Sequence, residues 1–367
     1  MNPARRLAVA LAAVIGLLPA CAHSADTRLE PDPPAVTYTA LQRPFDGARL
    51  TVDPQTQALR WQQANGADWL DPITTRPQAR WLNGFADLAA LPAYLASSRK
   101  QHAVPVVVAY AIPNRGCSNY REGLPYGDFE RPDPRPDSYA AWITELVEQL
   151  GPDRAVVVLE PDALPADCFD DERAATLKGA VDELVAAGQH VYIDAGHSGW
   201  RPSGEIAQRL LRSDVDRVEV VSLNVSNRYP TWAVDDFGEE LSELIGGRDY
   251  NVDSSRNGST TTATDPGSLS NDWCNRPDQA LGVQETGTPD PQRWPHLAAQ
   301  LWIKLPGESD GNAAVFPQQD CHGETASPGE FSPRQARELI LNDPTQSDRA
   351  LREARDVGAT VSVPQAG

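Results

Sequence analysis

Methionine and lysine are almost absent from this chain: Met1 is the sole methionine, and lysine stands only at Lys100, Lys178 and Lys304. A chain nearly free of thioether sulfur suits an oxidising setting, because sulfoxide formation finds no target. Basic charge is short as well, with 32 Lys+Arg against 51 Asp+Glu and a formal net charge of −19. That balance argues against nucleic acid and anionic membrane surfaces as main partners, since both demand basic patches. No Gly-x-Gly-x-x-Gly or Gly-x-x-x-x-Gly-Lys follows the first strand-like run, so nucleotide folds lose support, and no Gly-x-Ser-x-Gly elbow marks a serine nucleophile. The six His show no paired ligand spacing. The best metal set the sequence offers is Asp194, His197, Asp320 and His322, which is too scattered to favour; no metal or other cofactor is expected.

One short apolar run is present, at the start. Arg5-Arg6 precede Leu7 to Leu18, and Pro19-Ala20-Cys21-Ala22 follow. A positive head, a short apolar stretch and small residues read as a secretory signal over 1–21, too short to span a bilayer. Ordinary cleavage after Ala22 competes with a bacterial lipobox at Leu18-Pro19-Ala20-Cys21, which would make Cys21 a lipid anchor. Setting Cys21 aside leaves Cys117, Cys168, Cys274 and Cys321, an even set in a secreted chain and better used as bridges than as thiolates. The protein is therefore expected to be secreted or held at the cell surface by lipid, with no transmembrane segment. Residues 22–40, with Pro31, Pro33 and Pro34, read as a tether. Residues 41–355 read as one domain, and 356–367 as a loose tail.

Within that domain, apolar runs alternate with amphipathic ones. Strands are expected at Val104–Ile112, Ala155–Leu159, His190–Ile193, Val218–Leu223 and Leu301–Leu305, and helices at Tyr139–Leu150, Arg173–Ala187 and Ser203–Leu211. Near-continuous β-branched runs between helices indicate a parallel sheet buried on both faces. A stretch this long without a linker favours a single α/β fold, a parallel βα-barrel, over two doubly wound domains. Each strand runs into polar groups: Pro113-Asn114-Arg115, Glu160-Pro161-Asp162, Asp194-Ala195-Gly196-His197, Asn224, and Pro306-Gly307-Glu308-Ser309-Asp310. Barrel rims are polar in any case, so one Asp proves little. Five strand ends together indicate a site at the carboxyl face, where barrels build theirs.

Carboxylates with exposed aromatics fit glycoside hydrolysis, in which one acid protonates the leaving oxygen and a second carboxylate activates water or attacks carbon. Trp usually packs in cores. Trp200 beside Gly199, and Trp273 after Asn271-Asp272, are less core-like and are candidate sugar platforms.

Six motifs in order then carry a resemblance: Tyr110-Ala111-Ile112-Pro113-Asn114-Arg115; Leu159-Glu160-Pro161-Asp162-Ala163-Leu164; Tyr192-Ile193-Asp194-Ala195-Gly196-His197-Ser198-Gly199-Trp200; Asp253-Ser254-Ser255-Arg256-Asn257-Gly258; Trp273-Cys274-Asn275; and Leu301-Trp302-Ile303-Lys304-Leu305-Pro306-Gly307-Glu308-Ser309-Asp310-Gly311. Over about residues 41–340 the chain resembles the family 6 glycoside hydrolases, cellulases of the endoglucanase and cellobiohydrolase types. The resemblance implies a distorted βα-barrel that hydrolyses β-1,4-glucan with inversion and without a metal. It implies Asp162 as general acid and Asp310 as candidate base, with Tyr110, Asp194, His197, Trp200, Asn224, Trp273, Lys304 and Glu308 on the substrate. It also implies the disulfides Cys117–Cys168 and Cys274–Cys321. The expected partner is a β-glucan chain or cello-oligosaccharide, and the expected state a monomer.

The chain departs from the family pattern at Gly116, where members usually carry an Asp beside the acid. A like charge there would raise the acid's pKa. A carboxylate of the charged segment Glu122–Asp137, such as Glu122, could replace it. A second departure is Thr51, near which an aromatic platform is usual. These departures leave a weakened glycan-binding lipoprotein, or a hydrolase of another β-glycan, as alternatives to an endo-acting glucanase on soluble or amorphous chains. About 35 residues between Cys274 and Asp310 leave little for a tunnel roof, which is the reason for expecting an open, endo-acting cleft.

Overall fold

The structure is a computed structural model that describes residue 45 and residues 48–113, 117, 138–259, 272–287, 290–347 and 351–355. The expectations for Cys21, the leader, the tether, the tail, Asn114, Arg115, Gly116 and Glu122–Asp137 fall outside the described residues.

Eight strands form one sheet: β1 (Arg80–Leu82), β2 (Val106–Ala109), β3 (Val156–Leu159), β4 (His190–Asp194), β5 (Val220–Leu223), β6 (Asp249–Asp253), β7 (Glu285–Thr286) and β8 (Leu297–Leu301). Their order is β1-β2-β3-β4-β5-β6-β8-β7, parallel throughout except for β7, which runs antiparallel to β8. Helices Leu91–Gln101, Ser138–Leu150, Asp171–Ala186, Ser203–Arg212 and Thr231–Leu244 make the successive crossovers from β1 to β6. The expected parallel βα-barrel is thus observed, in a distorted form. Its seam lies between β1 and β8, which do not pair as strands. Ala79 N–H donates to the Trp302 carbonyl at 3.0 Å and the Trp81 indole to the Ile303 carbonyl at 2.8 Å across it.

The β-branched runs are explained by two cores on opposite faces of each strand. Val106, Val108, Val156, Val158, Tyr192 and Val220 point into the barrel, where Phe45 meets Tyr192 edge-on at 5.6 Å. Val107, Ala109, Val157, Leu159, Val191, Ile193 and Val221 point outward under the helices. Because side chains alternate along a strand, only an all-apolar run covers both faces. Helix starts follow from local capping: Asp170 accepts from Arg173 N–H, and Ser332 from Gln335 N–H at the start of the helix Pro333–Asn342.

Two expected strands shift by one residue, to Val156–Leu159 and His190–Asp194, and three move further. The run from Val104 pairs as a strand only over Val106–Ala109, because Ala111 and Ile112 N–H groups go to the Glu160 carboxylate. The run from Val218 pairs only over Val220–Leu223, since Val218 N–H caps the short turn Val215–Arg217 by bonding to the Val215 carbonyl. The last strand is Leu297–Leu301 and not Leu301–Leu305, since Ile303 and Lys304 N–H groups go to the Asp253 carboxylate instead of a neighbouring strand. No helix among the described residues is long and apolar enough to cross a membrane.

Candidate active site

The carboxyl ends of β2, β3, β4, β5, β6 and β8 bring their polar residues together. After β3 the backbone makes a tight corner in which Glu160 (φ 49°) and Asp162 (φ 72°) both adopt left-handed conformations. Non-glycine residues seldom do so, and the corner survives because its surroundings over-determine it. The buried Glu160 carboxylate accepts from Ala111 N–H and Ile112 N–H, each at 2.9 Å, and from the Tyr139 hydroxyl at 3.0 Å. It fastens the end of β2 to the end of β3, and with that corner fixed Asp162 sits on the rim, half-buried.

Asp162 has two polar neighbours with different consequences. The Tyr110 hydroxyl lies 3.4 Å from Asp162 Oδ2. Asp194, at the end of β4 and 1% exposed, accepts from Asp162 N–H at 3.0 Å and from Gly196 N–H at 3.2 Å through Oδ2. Its Oδ1 has no hydrogen-bond partner among the described residues. Burial first, and the charge of Asp162 second, push the Asp194 carboxyl well above the usual range. The two carboxyls are therefore electrostatically coupled, each disfavouring charge on the other.

Asp310, after β8, is in the opposite situation. Arg256 pairs with its Oδ1 at 2.8 Å, Arg228 pairs with Oδ2, and Asn275 N–H donates to Oδ2 at 3.0 Å. Burial alone would raise its pKa, but Arg228, Arg256 and Lys304 together hold it well below the usual carboxylate range. With both oxygens engaged by donors, the anion is favoured and Asp310 is a weak proton acceptor. Asn275 also accepts from Asp310 N–H at 2.7 Å and from Gln335 at 2.8 Å, which ties the site to the last barrel helix.

Aromatic groups border these carboxylates. Trp200 is 36% exposed, and His197 stacks on Tyr229 with centroids 4.5 Å apart. Gly199 N–H donates to His197 Nδ1 at 3.2 Å, which places the imidazole proton on Nε2; burial lowers this His to about 4, so the ring is neutral. Glycine at 199 lets Tyr229 approach this closely, because a Cβ would fall 1.9 Å from its hydroxyl. Trp273 meets Phe316 edge-on at 5.1 Å beside the Cys274–Cys321 disulfide. Both expected disulfides, Cys117–Cys168 and Cys274–Cys321, are present.

Lys304 and Glu308 pair at 3.7 Å, and Gln57 donates to Glu308 at 3.0 Å. Asn224 is placed differently from the other expected contacts. It is fully buried, and its amide is taken up by Tyr229 and Asp253 backbone groups. Thr51 is 1% exposed and bonded to Ser98, so position 51 offers no platform. An aromatic that sequence reasoning missed stands near: Trp81, edge-on to Tyr110 at 5.1 Å with Lys304 Nζ 5.5 Å from its ring centre. Arg228 and Arg256 were missed as site residues as well: Arg256 stands in the motif Asp253–Gly258 without a role assigned to it, and the signal for Arg228 was an arginine in a loop. No group of three or more His, Cys, Asp or Glu side chains among the described residues is placed to hold a metal ion; His322 instead pairs with Asp272 at 2.8 Å.

Residues 45–343 match the glycosyl hydrolases family 6. The chain belongs to this family. Among curated relatives, Endoglucanase A of Thermobispora bispora is 34% identical over 311 residues, 79% of this chain and 61% of that protein. Endoglucanase A of Cellulomonas fimi is 35% identical over 270 residues, 71% of this chain and 56% of that protein. The chain thus spans somewhat over half the length of these two relatives. Among solved structures, the family 6 endoglucanase of Mycobacterium tuberculosis, in complex with a methyl-cellobiosyl-4-deoxy-4-thio-β-D-cellobioside, superposes with a TM-score of 0.68 at 33% identity, covering 82% of this chain and 99% of that one.

Proposed function

We propose that this protein hydrolyses β-1,4-glucosidic bonds of a cellulose-like glucan with inversion, cutting within soluble or amorphous chains. The observation that carries the reading is the contrast between two carboxyls: Asp162 stands on the rim beside the Tyr110 hydroxyl and the buried Asp194, while Asp310 is clamped between Arg228 and Arg256. Asp162 protonates the glycosidic oxygen as general acid. Asp310, the expected base, acts as a fixed negative charge that orients water and stabilises the developing oxocarbenium ion, its own proton affinity being too low for more. Trp200 and Trp273 stack sugar rings, with Trp81 and Tyr110 toward Lys304 and Glu308. Neutral His197 donates from Nε2, and Asp194 is the coupled carboxyl beside the acid. Asn224 holds the loop that carries these neighbours.

The endoglucanases among the relatives, and the cellobioside derivative bound by the Mycobacterium tuberculosis enzyme, support this substrate class. Secretion, and a lipid anchor at Cys21, belong to the same proposal, as does a monomeric state. The test is proton NMR of cellohexaose during cleavage: the first new reducing end should be the α-anomer. A β-anomer would contradict inversion, and no cleavage of any β-glucan would contradict the function.

A further inference from the structure

The loop after β5 sends two neighbouring side chains in different directions. Asn224 brackets it, accepting from Tyr229 N–H and donating to the Tyr229 carbonyl, each at 3.2 Å, and donating to the Asp253 carbonyl at 2.9 Å. Tyr229 packs on His197. Arg228 reaches the other flank of the site, where one guanidinium nitrogen donates to the Trp273 carbonyl at 2.5 Å and another to the Asp310 carboxylate. The Arg228 side chain is 4% exposed and that of Asp310 8%. Arg256, 1% exposed, already pairs with the other Asp310 oxygen. One cation neutralises one carboxylate, so the second buried guanidinium answers a different need.

We propose that Arg228 is a positioning residue that fastens the Trp273 platform to Asp310, so that one side chain sets both a sugar-stacking surface and the fixed anion of the cleft. The inference rests on the glucanase reading and adds a residue to it. A guanidinium suits the task, because its planar fork serves two acceptors at once while an ammonium is a single point charge. The charged groups facing Asp310 are Arg228, Arg256 and Lys304; Lys304 is itself paired with Glu308, its backbone is held by Asp253, and Asp272 faces Arg228. Without Arg228, Asp310 loses a cation and its pKa rises, while the Trp273 carbonyl loses its donor.

The test compares wild type, Arg228→Gln and Arg228→Lys for kcat and KM on cellohexaose from pH 4 to 8, with hydrogen exchange of residues 272–276 on the same preparations. For Arg228→Gln, KM should rise about tenfold and kcat/KM fall about 100-fold. The acid limb of kcat should move to higher pH, and exchange at 272–276 should accelerate. Arg228→Lys should restore the acid limb, by returning the charge, but not KM. A lower kcat with unchanged KM and acid limb would make Arg228 a merely structural residue and overturn the proposal. Exchange needs no turnover, so it separates the two readings. If wild type cleaves no glucan, the glucanase reading fails; accelerated exchange in Arg228→Gln still supports the fastening, and unchanged exchange overturns it.

Discussion

Asp194 bears on the acid in two ways that substitution can separate. Its Oδ2 holds Asp162 N–H in place, and its carboxyl is electrostatically coupled to that of Asp162. Asp194→Asn keeps an oxygen acceptor and removes the charge. Loss of a like charge lowers the pH at which a neighbouring acid ionises, so activity should fall off at lower pH on the alkaline side, with kcat reduced by about tenfold or more near neutrality. A kcat–pH profile checks this; an unmoved alkaline limb would mean that Asp194 acts by geometry alone. Gly199→Ala is a second probe. The added methyl collides with Tyr229 at 1.9 Å and must push it off His197, so KM for oligosaccharide should rise while the acid remains intact. Steady-state kinetics on cellohexaose reads that split. Residues of this kind differ in how visible they are in sequence. Asp162 and Asp310 stood out because they follow strand-like runs within motifs that carry the family resemblance. Arg228 did not, because an arginine in a loop reads as solvated until the fold buries it against a carboxylate.

At the scale of elements, Thr231–Leu244 carries a buried liability. Asp235 on this helix is fully buried with no cation paired to it among the described residues, and burial pushes it up to about 8. Since the folded state prefers the protonated form, the group stabilises most below its unfolded pKa near 4, and stability is lost as pH rises toward 8. Asp235→Asn should therefore raise Tm relative to wild type at pH 7 to 8 and leave it nearly unchanged below pH 4, as thermal unfolding across that range will show. The opposite trend would refute the assignment. The same scale shows where sequence patterns stop working. The valines of β3 announced a strand because both faces of β3 are apolar cores. The strand β6, Asp249–Asp253, did not, since its polar residues suggest a loop although all five are buried. The run after Leu301 misled for a related reason: Trp302 and Ile303 are as apolar as a strand, but they bury in clusters beyond its end.

For the whole molecule, alternating strands and helices made the barrel legible, while the seam did not show. The contacts across it include a backbone hydrogen bond, the Trp81 indole and the Gln284 side chain, which leave no periodic trace. The carboxyl-end rule then located the site, because a parallel barrel gathers those ends on one face. Residues whose role depends on burial across the cleft, such as Trp81 and Arg256, had to wait for the fold. The Cys274–Cys321 bridge closes a loop of 47 residues next to Asp310. Replacing both cysteines with serine should cost about 3–4 kcal/mol in denaturant unfolding and lower activity by loosening Trp273 and Asn275. Full activity at reduced stability would separate the bridge from the site.

The central claim is that Asp162 gives the proton to the leaving oxygen. The most direct measurement compares wild type with Asp162→Ala on cellohexaose and on a 2,4-dinitrophenyl cellobioside, whose leaving group needs no proton. The account predicts a loss of about 10³-fold on cellohexaose and a small loss on the activated cellobioside. Equal losses on both substrates, or none on either, would contradict it.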